Sequence, residues 1–178
     1  MPSSGQTGAT SSSKRVGDSR ALSALQRYLR GGIRSSNHAR AYLERLGVAP
    51  AAQAQLLARC EAQGLIDDQL AVRLLAEHWA RRGQAWVLIR HHLLEKGFDE
   101  DTVDRASRRL GLPTGDLQRA RALTDAALRR SAAGRAAAGR LRPRARLERL
   151  LASRGFDEEL IERVVRERLG SDLSDAEH

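Results

Sequence analysis

GLIDDQLAVRLLAEHWARRGQAWVLIRHHLLEKGF, residues 64–98, is the stretch that sets the architecture. Gly64 suits a helix C′ position because glycine tolerates φ > 0. Asp67 or Asp68 can cap the next helix by accepting hydrogen bonds from its first free N–H groups. Val72, Leu75 and Trp79 then recur at helical spacing. Gly83 breaks that helix, Trp86, Ile89 and Leu93 make a second apolar stripe, and Gly97 closes it. The unit is a helical hairpin with little core of its own, so it must pack on neighbours.

The same grammar extends in both directions. Upstream, Leu22, Leu25 and Leu29 mark a first helix over 21–30, ended by Gly31 and Gly32. Ser35 or Ser36 caps a second, with Ala39, Leu43 and Leu46 along one face and Gly47 as its stop. Pro50 fits the first turn of a third helix, where its missing N–H costs little. Leu56, Leu57 and Cys60 face inward there. Downstream, Asp99 caps a helix carrying Val103, Ala106 and Leu110. Proline disfavours helix in the residue before it, so Gly111-Leu112-Pro113 is a boundary. A helix from Gly115 or Asp116 to about Arg130 follows. Residues 131–142 lack bulky apolar groups and read as a loop or a fraying end. Pro143 starts a helix with Leu147, Leu150 and Leu151; Gly155 stops it, and Asp157 caps a last helix with Ile161, Val164 and Val165.

Three of these segments share one pattern: an apolar stripe, a glycine at 47, 97 or 155, an apolar residue (Val48, Phe98, Phe156), then another helix. A repeat of this kind implies modules that bury one face internally and another against a neighbour. The expectation is an all-α protein of tandem three-helix repeats, about nine helices in all, forming an elongated, curved array. The repeats span 19–66, 67–112 and 113–170. Residues 1–18, rich in Ser, Gly and Thr, cannot bury enough surface to offset ordering entropy and are expected to be a disordered tail; 171–178 forms an acidic tail. The competing reading is a compact all-α bundle in which Gly-Phe-Asp is ordinary helix punctuation.

Composition narrows function. Aromatic content is 3% and apolar content 41%, so the core rests on Leu, Val and Ala. The single cysteine, Cys60, permits no intrachain disulfide and no cysteine metal cluster. No apolar run approaches a membrane span, and the N-terminal residues lack the apolar core of a secretion signal. A cytoplasmic monomer without cofactor or metal is expected. The formal charge is +9, which points to nucleic acid, an acidic partner or an anionic surface, unless the arginines simply coat solvated helix faces.

Residues that could do chemistry have plainer readings. Asp67 and Asp68 are adjacent and do not face each other on a helix; N-capping explains them. His91 and Glu95 are four apart, but a second ligand pair such as HExxH supplies is missing. There is no phosphate-binding glycine loop, no GxSxG and no Cys/His pairing. No catalytic site is expected. The basic residues are more informative. Ten arginines between 119 and 149 face only Asp125 and Glu148. Arg142, Arg144 and Arg146 bracket Pro143 at a helix start, where positive charge opposes the helix dipole. Contact with phosphate or acidic side chains accounts for them better. The candidate contact residues are Arg81, Arg82, Arg90 and Lys96 in the central unit, with Arg140, Arg142, Arg144, Arg146 and Arg149 in the last. Aromatics are not interleaved with these charges along the chain, and Trp79 and Trp86 read as core.

The central stretch resembles the signature of the RecX family, modulators of the RecA recombinase. The matching residues are Gly64-Leu65-Ile66-Asp67-Asp68, then Arg82-Gly83, Ile89, Leu93 and Lys96-Gly97-Phe98. The sequence departs from the family pattern at Leu70-Ala71, where an aromatic is common, at Ala85-Trp86, and at Arg34-Ser35-Ser36, which lacks a following Glu-Leu. The resemblance implies tandem three-helix repeats that bind in the groove of the RecA–DNA filament and limit filament growth, strand exchange and coprotease activity, without being an enzyme. The implied partners are the RecA filament and single-stranded or double-stranded DNA. A general nucleic-acid-binding helical module acting without RecA is the alternative.

Overall fold

The computed structural model describes residues 9–133 and 143–170. Among them are nine α-helices and no strand. In chain order they are α1 Ala9–Arg30, α2 Ser36–Arg45, α3 Pro50–Ala62, α4 Asp68–Arg81, α5 Trp86–Glu95, α6 Glu100–Leu110, α7 Asp116–Ala133, α8 Pro143–Ala152 and α9 Glu158–Leu169. The first helix starts at Ala9, well ahead of the apolar stripe that begins at Ala21. Residues 9–18 therefore depart from the expected tail. They contain no proline, so nothing interrupts the backbone ladder running back from the packed segment. Residues 1–8 of that tail, residues 134–142 of the predicted loop and the acidic tail at 171–178 lie outside the described residues.

The closest helix packing falls within three consecutive trios: α1, α2 and α3; α4, α5 and α6; α7, α8 and α9. Each trio has its own apolar cluster. The first gathers Leu25, Leu29, Leu43, Leu56, Leu57 and Cys60. The second gathers Val72, Ala76, Ile89, Leu93, Phe98, Val103 and Leu112. The third gathers Ala120, Leu147, Leu151, Phe156, Ile161, Val164 and Val165, and takes in Ala85, the residue that precedes α5. Most of the Leu, Ile and Val stripes are thus spent inside the trios; Leu46, expected on the inner face of α2, is instead its exposed C-cap. Trp79 and Trp86 lie half-buried against the second cluster.

The Gly-apolar pairs are helix-ending turns of the Schellman type, in which the N–H two residues past the cap returns to a carbonyl in the last turn. The N–H groups of Val48, Phe98 and Phe156 donate to the carbonyls of Leu43, Leu93 and Leu151 at 3.1, 3.2 and 3.3 Å. The intervening glycines have φ of +73°, +73° and +82°. Helix starts are fixed as firmly. Ser35, Asp67, Asp99 and Asp157 each accept the N–H three residues on, at 3.2, 2.9, 2.9 and 2.8 Å. Hydrogen bonds from Thr102, side chain and backbone, hold the Asp99 carboxyl below its ordinary range. Asp99→Ala is expected to cost about 1 kcal/mol at neutral pH. A depressed folded value makes that contribution present above the unfolded value and lost as pH falls below about 4. The wild-type and variant unfolding curves should therefore converge in acid; a difference that persists at pH 2 would refute the account.

Two joints connect the trios, built on one plan. At the first, the backbone N–H of Ser36 donates to the Asp68 carboxylate at 2.9 and 3.2 Å and its hydroxyl at 2.6 Å. The Ser35 hydroxyl donates to the Lys96 carbonyl at 2.9 Å, and the Asn37 amide to the Gly97 carbonyl at 3.0 Å. At the second, the Trp86 N–H donates to the Asp116 carboxylate at 3.0 and 3.2 Å, and the Ala85 N–H to the Arg154 carbonyl at 2.9 Å. In each case the start of one trio's middle helix meets the opening aspartate of the next trio and the glycine turn ending that trio's middle helix. The glycines leave little room: a Cβ at Gly97 would stand 3.0 Å from the Ser35 hydroxyl, and one at Gly155 would stand 2.7 Å from the Leu88 Cβ. Asp67 and Asp68 have separate tasks. Asp67 caps its own helix and Asp68 reaches across the joint.

Candidate partner-binding surface

The basic residues singled out in the sequence divide by what holds them. Arg90 is engaged internally: its guanidinium bonds to Glu100 and, at 3.3 Å, to Asp104, and these hydrogen bonds raise its pKa further. Arg81 lies 3.6 Å from Glu77 on its own helix, and Arg144 lies 2.7 Å from Glu148. Arg149 donates to the Ala145 carbonyl at 3.2 Å. Arg82, Lys96 and Arg146 are exposed and form no ion pair with a described carboxylate. Arg82 and Lys96 end α4 and α5, and their carbonyls belong to the joints: the Arg82 carbonyl accepts from Arg154 at 2.8 Å, and the Lys96 carbonyl from Ser35. The two joints thus each carry an exposed cation. Arg140 and Arg142 lie outside the described residues.

Part of the arginine-rich stretch is structural. Arg119 bonds to Asp116 and to the carbonyls of Leu112 and Gln84, with only 15% of its side chain exposed. Arg121 clamps Glu167 through two bonds of 2.9 Å, which hold that carboxyl below its usual range. Arg168 answers from α9 by pairing with Asp125 at 2.6 Å. Charge counting along the chain therefore overstates the cation density offered to a partner. Ion pairs at such exposed sites contribute little stability each, but they fix α7 against α9.

The residues weighed for chemistry are placed apart. His91 and His92 approach Glu95 at 3.3 and 3.5 Å on the outer side of α5. Among the described residues no group of three His, Cys, Asp or Glu side chains is arranged to hold a metal ion, and no helix is long and apolar enough to cross a membrane. Cys60 is buried, and burial raises its thiol pKa, which makes it a poor nucleophile.

One cluster was not anticipated. Tyr28 of α1 and Tyr42 of α2 stack with ring centroids 4.3 Å apart and planes 1° from parallel. The Arg34 guanidinium lies 4.9 Å from the Tyr28 centroid, and that of Arg45 lies 5.9 Å from the Tyr42 centroid. These are all the tyrosines of the chain. Tyr28, Arg34 and Arg45, with His38, Ala41 and Glu44, line an open groove on the first trio.

No protein-family model and no curated protein matches the chain. Solved structures do. The chain is similar to the crystal structure of RecX from Lactobacillus salivarius, with a TM-score of 0.65 and 16% identity, over 86% of this chain and 97% of that one. It is also similar to a crystal structure of the regulatory protein RecX, with a TM-score of 0.66 and 19% identity, over 91% of this chain and 79% of that one. The all-α fold is shared with these RecX structures over most of this chain.

Proposed function

We propose that the chain is a RecX-like regulatory protein that binds the RecA–DNA filament in the cytoplasm and restrains recombinase, ATPase and coprotease activity, acting by binding rather than by catalysis. The observation that carries this reading is the fold likeness to RecX structures over most of this chain. The signature from Gly64 to Phe98 supports it from the sequence side. It supplies the joint aspartate Asp68, the joint cation Lys96 and the close-approach glycine Gly97. An array jointed end to end matches a long polymer better than a small molecule, because its partner-facing residues are spread along successive trios. Of the candidate contact residues, Arg82, Lys96 and Arg146 are exposed and form no ion pair with a described carboxylate, which supports assigning the anionic contact to them.

Adding the purified protein in substoichiometric amounts to a recombinase from the same source should depress its DNA-dependent ATPase and strand exchange. An unchanged rate at equimolar protein would remove the proposal. Replacing Arg82, Lys96 and Arg146 together with Gln should weaken co-sedimentation with the filament about tenfold, while circular dichroism stays that of the parent. Equal co-sedimentation would mark these residues as solvated surface. The general nucleic-acid-binding alternative makes the opposite forecast: tight, steeply salt-dependent binding to naked DNA with no need of recombinase.

A further inference from the structure

We infer that the Arg34–Tyr28–Tyr42–Arg45 ladder on the first trio is a stacking site for an unpaired nucleobase together with its phosphate. The inference stands apart from the filament reading and uses none of the cations assigned there.

The ladder is a pair of stacked phenol rings with one guanidinium over each, Arg34 over Tyr28 at 4.9 Å and Arg45 over Tyr42 at 5.9 Å. The phenol rings are half-buried against the first core and so are fixed in place, whereas both arginines are exposed. Glu44 shares the groove, yet neither guanidinium takes an ion pair with a described carboxylate. Each arginine instead lies beside a ring, where the attraction is to the π face. A guanidinium held this way keeps two things free. Its outer face is flat and weakly hydrated, and its edge carries a fork of N–H donors. The first accepts a stacked base; the second matches two oxygens of one phosphate. Proteins that read unpaired strands use this pairing of arginine planes with aromatic rings. A carboxylate partner would use the fork alone and would gain nothing from the stack.

The chemistry is common to a free nucleotide and to a single strand, so the test has an arm for each. The full-length protein would be titrated into labelled twelve-residue oligothymidylate, into an abasic twelve-mer with the same phosphates, and into thymidine monophosphate. Oligothymidylate should bind about tenfold tighter than the abasic strand, the increment of stacking a base. Arg34→Lys with Arg45→Lys keeps the charge and removes the planes, so both strands should then bind alike. Tyr42→Phe keeps the ring and should keep the preference. On titration the Arg34 and Arg45 side-chain N–H protons should shift upfield, a readout independent of affinity. Saturable binding of the monophosphate at the affinity of the oligomer assigns the site to free nucleotide; weaker binding assigns it to strand. Equal binding of the two strands by the parent protein, or a preference that survives the double lysine change, would overturn the inference. Recombinase inhibition measured on the same lysine variant reports on the filament reading separately.

Discussion

Gly155→Ala should destabilise the protein by about 3 kcal/mol, whereas Gly47→Ala, at the same point of the first trio, should cost about 1 kcal/mol. The backbone demand is alike, with φ of +82° and +73°. An L-residue in that region costs about 1–2 kcal/mol. What differs is the neighbour. A Cβ at Gly47 meets open space, but one at Gly155 meets the Leu88 Cβ at 2.7 Å, an atom tied to its backbone that cannot rotate away. Relief requires the second joint to open, which adds the cost of overpacking, about 1–3 kcal/mol. Gly97→Ala should fall between them, because its nearest obstacle is the Ser35 hydroxyl at 3.0 Å, already committed to the Lys96 carbonyl. Urea unfolding of the three variants would decide. Equal losses would mean that the joints contribute nothing beyond the turn.

The second large effect is at Asp116. Asp116→Ala should cost about 3 kcal/mol, and Asp68→Ala, its counterpart at the other joint, about 1–2 kcal/mol. Both remove the acceptor from a helix-start N–H, that of Trp86 or of Ser36. Asp116 alone also carries an ion pair, with Arg119, and the two side chains are only 18% and 15% exposed. Deleting the carboxylate leaves a largely dried guanidinium without its counter-charge, which costs more than losing a neutral hydrogen bond. Asp116→Asn should recover part of the loss by giving Trp86 an acceptor again. Amide exchange at Trp86 should accelerate in the alanine variant. A loss at Asp116 no larger than at Asp68 would reject the charge argument.

Most of the helical framework is legible in the sequence because its determinants are local. Glycine stops, aspartate caps and stripes of Leu, Ile and Val act within one or two turns. The joints are not local. Nothing in the spacing of Asp67 and Asp68 says which one caps its own helix and which crosses to Ser36, since both are acidic and adjacent. The glycines at 97 and 155 read correctly as helix stops, but their second task depends on what tertiary packing brings against them. Charge counting fails for the same reason. Arg121 and Arg90 look available until Glu167 and Asp104 arrive from other helices. Tyr28 and Tyr42 sit on different helices, and although Arg45 follows Tyr42 at i,i+3 on α2, Arg34 lies outside any helix, so the stack as a whole has no sequence signature. The early start of α1 escaped because residues 9–20 carry no apolar stripe to announce a helix.

Pro143 bears on how many such units one polypeptide can string together. It stands twelve residues before Gly155, as Ser35 stands before Gly47 and Ala85 before Gly97. Ser35 offers a hydroxyl and Ala85 a backbone N–H to the carbonyl of the following unit; an imide nitrogen bearing a ring offers neither. Of the two donor positions that both joints use at the start of a middle helix, the third unit thus keeps the N–H at 144 and lacks the one at 143. A further unit docked there would be held by the aspartate contact alone unless a donor were restored at 143.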